Sequence, residues 1–513
     1  MKNSFWRRGT YALTCAMTMF LSISCINGYK EDGGWSSGIE NISLESPDAE
    51  EITVVPSADG SNLRIGWPVV MGAGGYEFSL YIVDDPANPI VVGEEKQMID
   101  GCSVEREMQE DTYYKVVIKA LGNPKYNNKE AESATEKLYN NLLNVTATIP
   151  AGTNLNEYFA ANPIPNESTE LCYELVAGGE YTMNDNIFIG ATSVTFRGNK
   201  VNHAKISLVN GSFVNAGGGL KLKFIDIDCT GFQGIPAGNA IILMDSNFDD
   251  ALAASTSKNG YVVIPTTSPV ALQSCEIKGL KQYLFYDNNQ KYAIGTFLIK
   301  DCIIGQNTSS FNAATIRFQR GMVKDMAFTN STFYNEVVGH DSNRICQISS
   351  GHVGNVGPLT ETWASGSMAF TNSTFYQFPK GAQSFNSNGA MGQASDRVIV
   401  QNCLVVDSGE DGGFIRRLRR GNTCLVFLPA GNSGGFIRRL RRGNTTASFI
   451  GGNNSYWYNE KFPSGEVESG RDESGTYVES NPQLVYLGDG KFSLSGSEQI
   501  AKRIGDPRWL PAE

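Results

Sequence analysis

Histidine is almost missing from this chain: His203, His340 and His352 are the three among 513 residues. With no CxxC pair and no His-rich tract beside them, the usual zinc-ligand patterns are excluded. No uninterrupted apolar run reaches the roughly 18 residues that a membrane-spanning helix needs. Basic residues are outnumbered, 42 against 53, and the formal net charge of −11 argues against a nucleic-acid partner. No helix-length amphipathic segment separates the repeated stretches described next, which excludes leucine-rich and helical repeats.

What is present is repetition. MAFTNSTFY runs from Met326 to Tyr334 and again from Met368 to Tyr376, an offset of 42. GGFIRRLRRGNT runs from Gly412 to Thr423 and recurs from Gly434 to Thr445, an offset of 22. These offsets suggest a unit of about 22 residues, with the first offset spanning two units. Weaker copies share a polar residue followed by Cys or Ser: Asp228-Cys229, Ser274-Cys275, Asp301-Cys302, Asn330-Ser331, Asn372-Ser373, Asn402-Cys403 and Asn454-Ser455. Each sits among β-formers, as in FIDIDC, FLIKDCII and VIVQNCLVV. Stacked coils would place the small residue in one inward column and the amide or carboxylate in the next, hydrogen-bonded from rung to rung. The expectation is a parallel β-helix with buried free thiols at Cys229, Cys275, Cys302 and Cys403.

At the N-terminus, Lys2, Arg7 and Arg8 precede a short apolar run, Tyr11 to Ile23, that ends at Ser24-Cys25. This is the layout of an export signal. LSISC resembles the lipobox of bacterial lipoproteins, which implies that Cys25 is acylated; an ordinary cleaved secretory signal is the other reading. Residues 1–24 are then a signal peptide and 25–45 a flexible tether. Removing the signal takes away three positive charges, so −11 becomes −14.

Residues 46–146 alternate in short strands at Leu63–Trp67, Tyr76–Asp84 and Tyr113–Leu121, the spacing of a small antiparallel sandwich. Trp67, Tyr76 and the Met108-x5-Tyr114 spacing resemble a fibronectin type III module, which implies a spacer or docking role. No catalytic constellation stands out within it.

Residues 147–513 begin with TNLNEYFAA, read as a short helix with Asn154 as N-cap and Glu157 completing a capping box. A helix, a Gly-rich first rung and then coils with a polar-Cys/Ser column resemble the pectin-lyase-like right-handed β-helix superfamily. The order of lipobox, fibronectin-like module and β-helix is similar to surface lipoproteins encoded among polysaccharide-utilisation genes. The C-terminal NPQLVYLGDGKFSLSG…DPRW resembles a closing coil and is expected to cap the solenoid's end.

Two groups of residues carry candidate chemistry. Asp226 and Asp228 lie about one coil before Asp249 and Asp250, and carboxylates stacked that way suit Ca²⁺; a solvated loop is the plainer reading. Polygalacturonase-like motifs are incomplete: Asp249-Asp250, Gly339-His340, Gly351-His352 and Ile415-Arg416 are present, but NTD and GHG are not. The basic segments are IRFQRG at Ile316–Gly321 and IRRLRRG at Ile415–Gly421 and Ile437–Gly443. Arg317, Arg320, Arg416, Arg419, Arg438 and Arg441 are therefore candidates for binding carboxylates or sulfates in bidentate fashion, with Trp457 stacking a sugar ring. The spacing of Phe414 and Leu418 also fits a short amphipathic helix, and Trp363 and Tyr456 also fit the core.

The reading is an all-β, lipid-anchored outer-membrane protein facing the cell exterior, whose solenoid binds polysaccharide, expected to be a uronate-containing glycan. Outer-membrane glycan-uptake proteins are expected partners, and nucleic acid is not. Uronate lyase activity and a structural scaffold or adhesin are the alternatives. Replacing Cys25→Ala should move the protein from the membrane to the soluble fraction on cell fractionation, because only a lipid holds it there. A variant that stays with the membranes would mean that Cys25 is not the anchor.

Overall fold

The computed structural model describes residues 38–512, apart from 237, 341, 381–384, 387–392, 394, 409–447, 458–471 and 473. The chain divides after Leu142 into two compact units.

The described residues of the first unit hold eight strands: β1 (Thr53–Pro56), β2 (Asn62–Gly66), β3 (Tyr76–Ile82), β4 (Ile90–Val91), β5 (Gln97–Ile99), β6 (Ser103–Glu107), β7 (Tyr113–Ala120) and β8 (Thr135–Asn140). They form two antiparallel sheets, β1-β2-β6 and β4-β3-β7-β8, with β5 also paired to β3. Period-two alternation in β7 turns Tyr114, Val116, Ile118 and Ala120 inward. Trp67 packs its ring flat on Phe78, with centroids 5.8 Å apart, and edge-on to Tyr76. The buried Tyr114 needs a partner for its hydroxyl and finds one locally. It accepts from the Gln109 amide at 2.7 Å and donates to the Gln109 carbonyl at 3.3 Å.

Among its described residues the second unit is a solenoid of three parallel sheets, of 11, 9 and 7 strands. Successive coils visit them in order. One coil runs through Val270–Gln273 in the first sheet, Glu276–Lys278 in the second and Tyr283–Tyr286 in the third, then returns to the first at Tyr292–Lys300. Alternation along each strand sends Leu, Ile, Val and Phe into one continuous core. The helix Leu155–Ala161 stands before the first coils. Asn154 caps it by accepting from the Glu157 amide, and Leu155 and Phe159 are buried.

The corner between the first and second sheets sets the register. Ser274, Asp301, Asn330, Asn372, Asn402 and Asn453 all have φ near +50°, a region where Asn and Asp cost less than other non-glycine residues. Their side chains join neighbouring rungs. Asn330 donates to Asp301 at 3.0 Å, Asn372 to Asn330 at 3.2 Å and Asn402 to Asn372 at 3.0 Å. Next to them, Cys275, Cys302, Ser331, Ser373 and Cys403 fill a buried column. Ser331 shows how the column is satisfied: its Oγ donates to the Thr329 carbonyl and accepts from the Cys302 amide. Burial pushes the Cys403 thiol up to about 12, so it stays protonated and inert.

The two copies of MAFTNSTFY lie directly on one another. Met326 pairs with Met368, Phe328 with Phe370 and Tyr334 with Tyr376. The Phe328 and Phe370 rings are 4.6 Å apart and almost parallel. The offset of 42 is therefore one coil with an insertion, not two units of 22. The shortest step between stacked partners among the described residues, from Ala204 to Ile225, is 21 residues. From Leu220 to Val270 and from Val398 to Phe449 the partners are also one rung apart despite far longer connections. Two insertions account for the first two long steps by packing on each other. The Ser257 hydroxyl donates to the Val356 carbonyl at 2.6 Å and the Asn259 amide to the Asn355 carbonyl. Val263, Val353, Val356 and Trp363 are buried there.

Three further expectations are corrected. Asp228-Cys229 is not a corner pair: Asp228 ends the second-sheet strand Ile225–Asp228, and the corner residue of that coil is Phe224, at φ 57°. In the last paired coil the corner is Asn453-Asn454, one residue before the Asn454-Ser455 match, because Asn454 accepts from the Cys403 amide. The C-terminal segment does not close the solenoid's end. Its hairpin, Leu484–Gly488 with Lys491–Leu494, lies on the outside of the second sheet, where Tyr486 and Phe492 pack on Tyr334 and Tyr376. Arg508 then ties the tail to the carbonyls of Asp301, Cys302 and Asn330.

The corner makes a quantitative prediction. Asn372→Ala loses two side-chain links, each worth about 1 kcal/mol, and places alanine in a left-handed conformation at a further 1 kcal/mol or so. A total near 3 kcal/mol should appear as a lower urea midpoint. Asn372→Gly keeps the conformation and should lose only about the first share. Equal losses would show that the backbone conformation contributes nothing.

Candidate functional site

Arg317 projects from the outer side of the third sheet. Its neighbours Ile316 and Phe318 point into the core, so alternation turns Arg317 outward. Register then aligns Leu243, Tyr286, Arg317 and Gln347 on four successive rungs, about 5 Å apart. The guanidinium carbon stands 5.9 Å from the Tyr283 ring centre and 5.8 Å from that of Tyr286, within cation–π range. Nη1 donates to the Tyr283 hydroxyl at 2.8 Å, while Nε is buried without a partner. The two tyrosine rings are 4.8 Å apart, and Phe311 meets Tyr283 edge-on. Tyr286 donates to Gln319 Oε1 at 2.9 Å, and Arg344 donates to Gln347 Oε1 at 3.3 Å. The result is a row of aromatic faces, amides and guanidinium groups along the stacking axis.

The turn after Arg317 is held by an acid that sequence reasoning missed. Asp287 is fully buried. Its Oδ2 accepts from the consecutive amides of Gln319, Arg320 and Gly321 at 2.7, 2.8 and 2.6 Å, and Oδ1 accepts from Asn289 at 3.1 Å. Such a concave run of amides is an anion nest, occupied here by the protein's own carboxylate. Glycine is required at 321, since a Cβ there would meet the Tyr292 carbonyl oxygen at 2.5 Å. This accounts for the Arg-Gly ending of IRFQRG and leaves the Arg320 side chain exposed.

The other sequence candidates are dispersed. Trp457 ends the second-sheet strand Ser455–Trp457 and packs beside Leu404, Val406 and Ile504, so it is a partly buried packing residue rather than a platform. Trp363 and Tyr456 are buried. The four aspartates do not assemble. Asp226 pairs with His203 at 2.8 Å, Asp228 accepts from the Thr230 amide and hydroxyl, Asp249 caps the helix Asp250–Thr256, and Asp250 sits in its exposed first turn. Among the described residues no group of three or more His, Cys, Asp or Glu side chains is placed to hold a metal ion. Local turn and cap bonds use the Asp228 and Asp249 carboxylates instead. Cys25, Arg416, Arg419, Arg438 and Arg441 lie outside the described residues.

Tyr283, Tyr286, Gln319, Gln347 and Asp287 were missed because their alignment depends on coils of unequal length. A signal was present in YLFYD, where two tyrosines and an acid close a strand.

Comparison with known proteins adds little chemistry. Residues 1–178 match a domain of unknown function, DUF4992, and residues 179–336 match another, DUF4957. None of the curated proteins matches. Among solved structures, pectate lyase PelI from Erwinia chrysanthemi aligns at 10% identity with a TM-score of 0.13, covering 63% of this chain and 95% of that one. The same enzyme in complex with tetragalacturonic acid aligns at 10% identity with a TM-score of 0.12, covering 61% and 95%. At these scores no residue of one chain is equated with a residue of the other.

Removing the buried acid gives a test of the turn. Asp287→Ala orphans four amides and should cost about 4 kcal/mol in urea unfolding; Asp287→Asn, which keeps one acceptor oxygen, should cost less. Burial raises the Asp287 carboxyl above its ordinary 3.8, against the opposing pull of four backbone amides. The native chain thus binds this proton more tightly than the unfolded chain. Its contribution to stability should therefore fall as pH rises from about 3.8 towards the folded value, then level off. The wild-type minus Asp287→Asn difference, measured against pH, should show that downward step.

Proposed function

We propose that this chain is an exported, lipid-anchored surface protein whose solenoid binds an anionic, uronate-containing polysaccharide along the outer row of the third sheet. The observation that carries the reading is the alignment of Tyr286, Arg317 and Gln347 on successive rungs, with Arg317 laid over two tyrosine rings. Sugar rings stack on aromatic faces, uronate carboxylates pair with guanidinium forks, and amides accept and donate to hydroxyls. A repeating polymer suits a repeating surface. Arg320, exposed on the adjoining turn, extends the positive charge of the row.

The first unit fits the reading as a fibronectin type III-like spacer. Its strand orders, β1-β2-β6 and β4-β3-β7-β8, and the Tyr114 hydroxyl folded back on Gln109 support that assignment. The lipobox at Cys25 supports anchoring at the outer membrane on its exterior side, where glycan-uptake proteins are the expected partners. The pectin-lyase-like resemblance of the coils supports a right-handed solenoid and a polysaccharide ligand.

Affinity electrophoresis through gels containing polygalacturonate, a sulfated glycosaminoglycan or a neutral glucan tests the proposal. The full chain should be retarded by the uronate polymer, less so as salt is added, since exposed charges are screened within about 8 Å at physiological ionic strength. Arg317→Ala should weaken retardation about tenfold or more while the melting temperature changes little. Arg317→Lys keeps the charge but loses the fork, and should recover only part of the binding. Equal retardation by the neutral glucan, or none by any polymer, would overturn the reading.

A further inference from the structure

A second concave site lies on a different edge of the solenoid, where the first sheet turns into the second. The cleft measures about 370 Å³, and its walls include Lys200, His203, Asp226, Ser274, Glu276 and Ile303. That volume falls within the usual range for small-molecule sites. The proposed polysaccharide row lies on the third sheet, and neither those residues nor Asp287 are among the side chains lining the cleft.

Three rungs meet here. His203 immediately precedes the strand Ala204–Leu208, Asp226 lies one rung on, paired with Lys205, and Glu276 lies on the next. His203 Nδ1 stands 2.8 Å from Asp226 Oδ1. An ionised carboxylate only accepts, so Nδ1 carries a proton, and in the neutral ring Nε2 is the nitrogen with the lone pair. Nε2 has no hydrogen-bond partner among the described residues. The same oxygen, Asp226 Oδ1, accepts from the Glu276 backbone amide at 3.3 Å, and the Glu276 side chain lines the same cleft as His203. The Glu276 carboxylate is half-buried and 3.6 Å from Lys278 Nζ. Burial pushes its carboxyl up; Lys278 opposes the shift, and Asp226 and Asp489 add to it. An oriented base and a protonatable acid therefore share one solvent-filled concavity.

We propose that this cleft is a hydrolytic site for a small carboxylic ester, of the size of an O-acylated sugar, with His203 as general base, Glu276 as general acid and Asp226 as positioning residue. His203 Nε2 takes a proton from water, and the water oxygen forms a bond to the ester carbonyl carbon. The tetrahedral intermediate then breaks its bond to the alkoxy oxygen, which receives the proton of Glu276. The imidazolium returns its proton to Glu276 through solvent, so one ester and one water give one acid and one alcohol.

The test uses two acetate esters with different leaving groups. The full chain should hydrolyse p-nitrophenyl acetate about 100-fold faster than His203→Ala, and Asp226→Asn should lose at least about tenfold, since it presents the wrong tautomer. His203→Gln, which keeps a donor for Asp226, should be equally inactive if the alanine variant proves unstable. His340→Ala should be unchanged, which excludes nonspecific imidazole catalysis. Glu276→Gln should still hydrolyse p-nitrophenyl acetate, whose leaving group needs no proton. It should lose acetate release from glucose pentaacetate, followed by proton NMR, and the alkaline limb of that pH profile should vanish. A His203→Ala rate equal to wild type, or no rate above buffer with either ester, would overturn the assignment. So would a Glu276→Gln variant that cleaves both esters normally.

Discussion

Each coil of the solenoid must turn sharply between its first and second sheets, and the turn depends on one backbone conformation repeated in register. At φ near +50° a side chain with a Cβ is strained, so the residue there must recover the cost locally. Asp301, Asn330, Asn372 and Asn402 do so by bonding to the rung before or after. The following residue faces the inside of the bend, and Cys or Ser fills it on the five rungs from Cys275 to Cys403. The serine hydroxyl also satisfies amides that the bend would otherwise orphan. Sheet register, and with it every row on the outer surface, follows from this corner.

That dependence explains why long insertions are tolerated. A coil can lengthen greatly between corners without disturbing the stacking, because the residues before and after the loop are recaptured by the same column. The coil between Met326 and Met368 carries a loop that packs on another insertion around Trp363, yet the flanking strands pair residue for residue. Side chains far apart in sequence thereby come together: Tyr286, Arg317 and Gln347 in one row, and Asp226 and Glu276 on adjacent rungs with His203 reaching Asp226 from two residues off their register. The C-terminal tail uses the corner as well. Arg508 bonds to its carbonyls, and the hairpin shields the aromatic rows beginning at Tyr334 and Tyr376.

The two outer sites differ in chemistry because their rungs do. On the third sheet the outward positions carry tyrosine, arginine and glutamine, which can face a polymer without titrating near neutral pH. At the corner cleft they carry histidine and two carboxylates, held together through a single oxygen of Asp226. The Asp287 nest stands between these cases: a buried acid that makes no contact with solvent and shapes the loop presenting Arg320.

Local chemistry made much of the fold legible from the chain itself. Alternating β-formers around a polar-small pair implied coils, and the five matches from Ser274-Cys275 to Asn402-Cys403 fell on the corner because both residue types are demanded there. The capped helix at Leu155 was equally readable, since its cap is satisfied within three residues. Letter matching failed at Asp228-Cys229 and Asn454-Ser455, where the same pair occurs out of phase with the bend. It also read the 42-residue offset as two units, because periodicity does not separate a coil from a coil plus an insertion. Neither group of outer residues was assembled from sequence, although Arg317 was picked out for its chemistry. Which side chains share a row depends on the length of every intervening loop, and the hydrogen-bonded corners, acting across coils of unequal length, set that only in the folded chain.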